Sequence, residues 1–193
     1  MDSNLLKDLR EMTGAGISDV KAALEESGND KEKAIEILRK KGQSKLAKKA
    51  ERVSKEGLVE SYIHAGGRVG VLVEVNCETD FVSRTDDFKK LAKELALHIA
   101  AANPLYVGAS EITPEVIEKE REIYREQVKD KPADVMDKII DGKLAKFYEE
   151  VCLMEQPFFR DPDKKVKEFL TESVAKMGEK VVVRRFVRYQ LGV

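Results

Sequence analysis

GLVESYIHAGGRVGVLVEVNCETDFV, residues 57–82, is where the chain changes character. Gly57 to Ala65 is rich in strand formers and Gly66-Gly67 marks a turn. Val69, Val71, Val73 and Val75 then fall on alternate positions, which a two-residue period places on one face. The pattern predicts a β-hairpin with one buried side. Helical periodicity precedes it, and helices broken by further strands follow it. The predicted class is therefore α+β, an antiparallel sheet with covering helices.

Upstream, residues 4–42 predict three short helices. Leu5, Leu6, Leu9 and Met12 form an apolar face that Thr13-Gly14-Ala15-Gly16 ends. Ser18 is placed to cap a second helix carrying Val20, Ala23 and Leu24, closed by Ser27-Gly28. Asp30 is placed to cap a third, with Ala34, Ile35 and Leu38, ending near Gly42. From Arg39 to Lys55 eight basic residues (Arg39, Lys40, Lys41, Lys45, Lys48, Lys49, Arg52, Lys55) face one acid, Glu51. The expected organisation is a three-helix module over 1–42, a basic helical linker over 43–56 and an α+β core over 57–193.

Downstream of the hairpin, Phe88, Leu91, Ala92, Leu95, Ala96, Ile99 and Ala102 make a helical stripe that Asn103-Pro104 stops. Thr113-Pro114 opens another helix, with Val116, Ile117, Ile123, Tyr124 and Val128. After Lys131-Pro132, Met136, Ile139, Ile140, Leu144, Phe147, Tyr148 and Val151 make the next stripe. A connection this short predicts an antiparallel helical hairpin. Cys152 to Phe159 reads as a strand. Val166, Phe169, Leu170, Val174 and Met177 read as a helix, and Gly178 leads to a last strand, Val181 to Tyr189.

The composition narrows the function. Of 193 residues, 37% are charged, yet Lys+Arg (35) nearly balance Asp+Glu (36), so net charge gives no reason to bind polyanions. Aromatic residues are 6% with no Trp, too thin for stacking a run of bases. No apolar stretch approaches a membrane span, and the amphipathic MDSNLLKDLREM lacks a signal peptide's unbroken apolar core. The expected location is the cytoplasm, with no membrane partner. Cys77 and Cys152 match no zinc or disulfide spacing and are expected as buried or half-buried free thiols.

A convergent catalytic site does not assemble from these residues. His64, near a turn, and His98, beside an apolar stripe, read as packing residues rather than bases or ligands. Gly142-Lys143 lacks the upstream glycine of a phosphate loop, and Gly14-Ala15-Gly16 reads as an interhelical turn. No metal, cofactor or nucleotide is expected on the chain by itself. The basic stretch keeps an RNA-binding reading open, but its charges are spread around the helix, and a solvated linker is the plainer account. Arg184, Arg185 and Arg188 read as edge-strand charges that discourage aggregation.

Asn76 to Val82 is the odd segment. Phe81-Val82 lies between Asp80 and the polar run Ser83-Arg84-Thr85-Asp86-Asp87. Such a corner can be structural, with Thr79 or Asp80 capping backbone amides and Phe81 in the core, and packing chemistry alone favours this. Alternatively Phe81 projects as an anchor into a partner.

Three blocks resemble the elongation factor Ts family over nearly the whole chain. They are LREMTGAGISDVK (9–21) with AIE (34–36) and LRKKG (38–42); VNCETDFV (75–82); and IDGKL (140–144) with LMEQPF (153–158). The resemblance implies a non-enzymatic guanine nucleotide exchange factor for elongation factor Tu. It implies an N-terminal module similar to ubiquitin-associated three-helix domains, docking on the GTPase through Arg10, Met12 and Ile17. It implies that Thr79, Asp80, Phe81 and Val82 reach the partner's magnesium and phosphate region. Short members also pair through their C-terminal sheet, which here points to Val181–Tyr189.

Overall fold

The computed structural model describes residues 3–13, 15–49 and 54–193. It is α+β, as the sequence predicts: helices and a small sheet in which β1 (Glu56–Ile63), β2 (Val69–Cys77) and β5 (Val182–Gln190) lie side by side in that order. By backbone proximity the chain divides into two compact units.

The first unit comprises Met1–Glu60, Glu74–Lys93 and Glu168–Val183. It holds α1 (Ser3–Thr13), α2 (Ile17–Glu26) and α3 (Lys31–Lys49). Leu9, Val20, Ala23, Leu24, Ala34 and Leu38 form their common core, with Leu5, Leu6 and Ile35 against it. The α1 helix closes locally, where the Thr13 hydroxyl donates to the Leu9 carbonyl at 2.6 Å. Ser18 does not cap α2. The helix starts two residues earlier than a Ser18 cap would set it, at Ile17, because extended Gly16 already offers its carbonyl to the Val20 amide at 3.0 Å. Asp30 does cap α3, accepting the Lys33 amide at 3.1 Å.

The α3 helix does not end near Gly42 but runs to Lys49. One interior glycine costs about 1 kcal/mol relative to alanine, and the Lys, Gln, Leu and Ala residues around it are good helix formers. Among the described residues of the basic stretch, Arg39 is ion-paired with Glu168 (3.8 Å), Lys40 with Glu36 and Lys41 with Glu26 (both 2.7 Å). The side chains of residues 42–53, and with them most of the expected linker 43–56, lie outside the described residues.

Strands β1 (Glu56–Ile63) and β2 (Val69–Cys77) form the hairpin, and the His64 amide closes its turn on the Val69 carbonyl at 2.9 Å. On β2, Val71, Val73, Val75 and Cys77 are buried while Leu72 is exposed, the predicted alternation. Gly57 has φ +143°, and a Cβ there would lie 2.1 Å from the Val75 carbonyl oxygen, so only glycine allows this approach.

Helix α4 (Asp80–Ser83) is a single turn, and α5 (Asp86–Ala102) follows. The α5 stripe Phe88, Leu91, Ala92, Leu95, Ala96 and Ile99 is buried as read, but Ala102, read as its last member, is exposed.

The second unit comprises Ser61–Val73, Glu94–Lys167 and Arg184–Val193. Thr113-Pro114 opens α6 (Pro114–Gln127), which packs on α7 (Ala133–Val151) around Val128, Ile140 and Leu144. The expected strand from Cys152 to Phe159 is not one. Leu153–Glu155 is a tight helical turn, and of this segment Pro157–Phe158 alone belongs to a named strand, β3. Leu153 and Met154 bond back to Tyr106 and Val107, Gln156 turns onto helix carbonyls, and Pro157 has no amide for a ladder. The β3 strand pairs antiparallel with β4 (Asp161–Lys165), whose charged sequence gave no strand signal.

Helix α8 (Val166–Met177) leads to the edge strand β5 (Val182–Gln190). Arg184 and Arg185 are exposed, as edge charges should be. Arg188 is not a free edge charge: half-buried, it donates Nε to the Ala100 carbonyl at 3.2 Å in the last turn of α5, where a cation is favoured.

Candidate functional site

The residues singled out by sequence fall into two groups, both in the first unit. Thr79 to Val82 form the turn after β2. Arg10 and Met12 stand in the last turn of α1, and Ile17 opens α2.

The turn is built by short-range bonds. At 2.8 Å the Ser83 hydroxyl donates to the Asp80 carbonyl, and Thr85 donates to the Val82 carbonyl at 2.7 Å. Thr85 also accepts the Phe88 amide at 3.3 Å, starting α5. The Asp80 carboxylate pairs with Arg84 one turn on, at 2.7 Å. Thr79, Asp80 and Val82 are half-buried. Phe81 is 78% exposed, which removes it from the core.

Two segments hold the turn from behind. The Cys77 thiol donates to the Thr79 carbonyl at 3.1 Å. Glu179 takes both polar groups of Thr79, its hydroxyl at 2.6 Å and its amide at 3.0 Å, and Glu78 takes the Lys180 amide at 2.7 Å. Neither Glu78 nor Glu179 was visible as a site residue in the sequence, since nothing in their spacing links them. Burial pushes the Cys77 thiol up to about 11, with the Glu179 carboxylate adding to it, so it is no thiolate.

Met12 is 61% and Ile17 52% exposed, and Arg10 is exposed. Single exposed apolar residues are ordinary, but here two stand at one helix junction.

The histidines take different roles. His98 is fully buried, with Nε2 3.0 Å from Gln156 Oε1 and Nδ1 accepting the Phe159 amide at 3.3 Å. Gln156 donates its amide nitrogen to the Glu150 carbonyl at 2.8 Å, so its oxygen must accept and His98 carries its proton on Nε2. It is a satisfied core residue. His64 is exposed, not packed, and meets the Tyr62 hydroxyl at 2.9 Å. Both cysteines are buried and free, as expected. Among the described residues no cluster of His, Cys, Asp and Glu is arranged to hold a metal, and no helix is long and apolar enough to cross a membrane.

A family model described as Elongation factor TS matches residues 3–193. The chain is 58% identical over 192 residues to the elongation factor Ts of Carboxydothermus hydrogenoformans, covering 98% of this chain and 88% of that one. It is 57% identical over 189 residues to that of Thermotoga maritima, covering 98% and 95%. It is 55% identical over 194 residues to that of Thermoanaerobacter pseudethanolicus, covering 100% and 95%. With the family model matched over residues 3–193 and relatives more than half identical over nearly the whole chain, the chain belongs to the elongation factor Ts family.

Proposed function

We propose that the protein is the guanine nucleotide exchange factor of elongation factor Tu, acting in the cytoplasm during translation elongation and performing no bond chemistry of its own. The observation that carries this is Phe81. A phenyl ring held in water on a one-turn helix forgoes about 1.5–3 kcal/mol of burial, which a partner's pocket would recover.

In this reading Thr79–Val82 enters the GTPase beside its magnesium and phosphates. Phe81 displaces packed side chains, and Asp80 brings a carboxylate towards the metal shell. Factor and GDP then weaken each other reciprocally, as coupled ligands must. Each tenfold gain in release rate needs about 1.4 kcal/mol off the barrier. Binding alone supplies this, so no cofactor and no nucleic acid is required. Residues 1–42 are the docking module, with Arg10, Met12 and Ile17 as its contacts; residues 43–56 link it to the core, 57–193. The partner is bound both with GDP and without nucleotide.

We also propose a homodimer through the C-terminal sheet. Ile63, Leu72, Tyr189 and Leu191 are exposed and line a groove of about 540 Å³, an apolar surface of the kind that covers itself in a second copy. Sedimentation equilibrium tests it, with Tyr189→Asp expected to give monomer.

Release of labelled GDP from elongation factor Tu, with and without the protein, tests the main reading. Acceleration that saturates with the factor supports it, and an unchanged release rate contradicts it.

A further inference from the structure

The backbone of the α4 turn closes it only loosely. It has four residues, and the amides of Ser83 and Arg84 close it on the Thr79 and Asp80 carbonyls at 3.4 and 3.3 Å, beyond ordinary N–H···O lengths. A helix of one turn has met the nucleation cost without the later bonds that repay it. Thr79 stands at the N-cap position with extended backbone (φ −128°, ψ 154°), where its hydroxyl would usually bond an amide of its own helix, yet no such bond forms. The hydroxyl is given instead to Glu179, a hundred residues away in sequence, at 2.6 Å.

Glu179 is placed for this by the end of α8. The Gly178 amide bonds the Val174 carbonyl at 2.9 Å, and Gly178 takes φ +78°, the left-handed cap that turns the chain out of the helix. The next residue then meets Thr79 side-on with both carboxylate oxygens, while Glu78 returns the contact to the Lys180 amide. Bonds to an ionised carboxylate are shorter and stronger than neutral ones, and two to one residue fix a direction as well as a distance.

We infer that Glu179 is a positioning residue for exchange: its two bonds to Thr79, closed by the Glu78–Lys180 bond, aim the Asp80-Phe81 turn at the partner. The clamp acts through Phe81 and does not itself touch the GTPase. The inference rests on the exchange reading given above. A turn aimed in advance loses less freedom on insertion, so the clamp lowers the barrier to release rather than the cost of docking.

The test follows labelled GDP release from elongation factor Tu against factor concentration for the parent, Glu179→Ala, Phe81→Ala and their double variant. Glu179→Ala is expected to lower the plateau rate roughly tenfold and to leave the half-saturating concentration within about twofold. The double variant is expected to be no slower than Phe81→Ala, since both changes remove one effect. If Glu179→Ala fails to fold, Glu179→Gln, which keeps the side chain's size but has one acceptor oxygen for the two Thr79 donors, must lower the plateau. Normal plateau rates for Glu179→Ala or Glu179→Gln beside a slow Phe81→Ala would overturn the clamp and leave the exchange reading standing. A loss confined to half-saturation, or multiplicative losses in the double variant, would also overturn it. A parent that does not accelerate release would overturn the exchange reading and the clamp together, and a Phe81→Ala variant as fast as an active parent would overturn the clamp and the Phe81 insertion while exchange itself stands.

Discussion

His98 on α5 and Gln156 beside β3 share a fully enclosed hydrogen bond of 3.0 Å, with both partners buried. Burial holds the imidazole below its ordinary value, the Gln156 bond only partly opposing it. Below about pH 6.5 the unfolded chain therefore binds a proton that the folded chain refuses. Stability from this site is complete above that pH and is lost as pH falls towards the depressed folded value, by about 1.4 kcal/mol for each unit of depression. Melting temperatures at about pH 7.5 and 5.5 should show a larger drop for the parent than for His98→Gln.

Gly57→Ala should destabilise the sheet. Its φ of +143° is open only to glycine, at about 1–3 kcal/mol for another residue, and the added methyl meets the Val75 carbonyl. Urea denaturation should give a lower midpoint with an unchanged slope.

The thiols should be silent in the folded protein. Cys77 and Cys152 are buried, and burial raises both above the ordinary thiol value. Iodoacetamide at neutral pH should label neither until denaturant is added.

Met12→Ala and Ile17→Ala should weaken docking without slowing the saturated exchange step. At about 1–2 kcal/mol each, the half-saturating concentration rises roughly five- to thirtyfold. Because both side chains are exposed, melting should be unaffected. Release rates measured against factor concentration separate affinity from plateau.

What the sequence made legible was periodicity. The valines of β2 and the stripe of α5 reported their own burial, and the Thr13–Gly16 and Asp30 signals bracketed the bundle helices. What it hid depended on contacts across the chain. Strand β4 is Asp-Pro-Asp-Lys-Lys and pairs because β3 lies beside it, not because its residues prefer extension. Gly42 looked like a stop but stands inside α3, since a stop needs a left-handed turn as well as a glycine. In the candidate site, the block around Phe81 stood out, but whether the ring was core or surface did not follow from its neighbours. Glu179 was unreadable, because its role depends on the fold bringing position 179 to position 79.

The proposed role of Phe81 as a surface anchor for the GTPase is tested by Phe81→Ala, with melting and GDP release measured on the same preparation. The melting curve should match the parent's, since the ring is 78% exposed. Release from elongation factor Tu should slow roughly thirty- to a thousandfold, the range of about 2–4 kcal/mol for a truncated aromatic anchor. A large loss of thermal stability with normal exchange per folded molecule would contradict it.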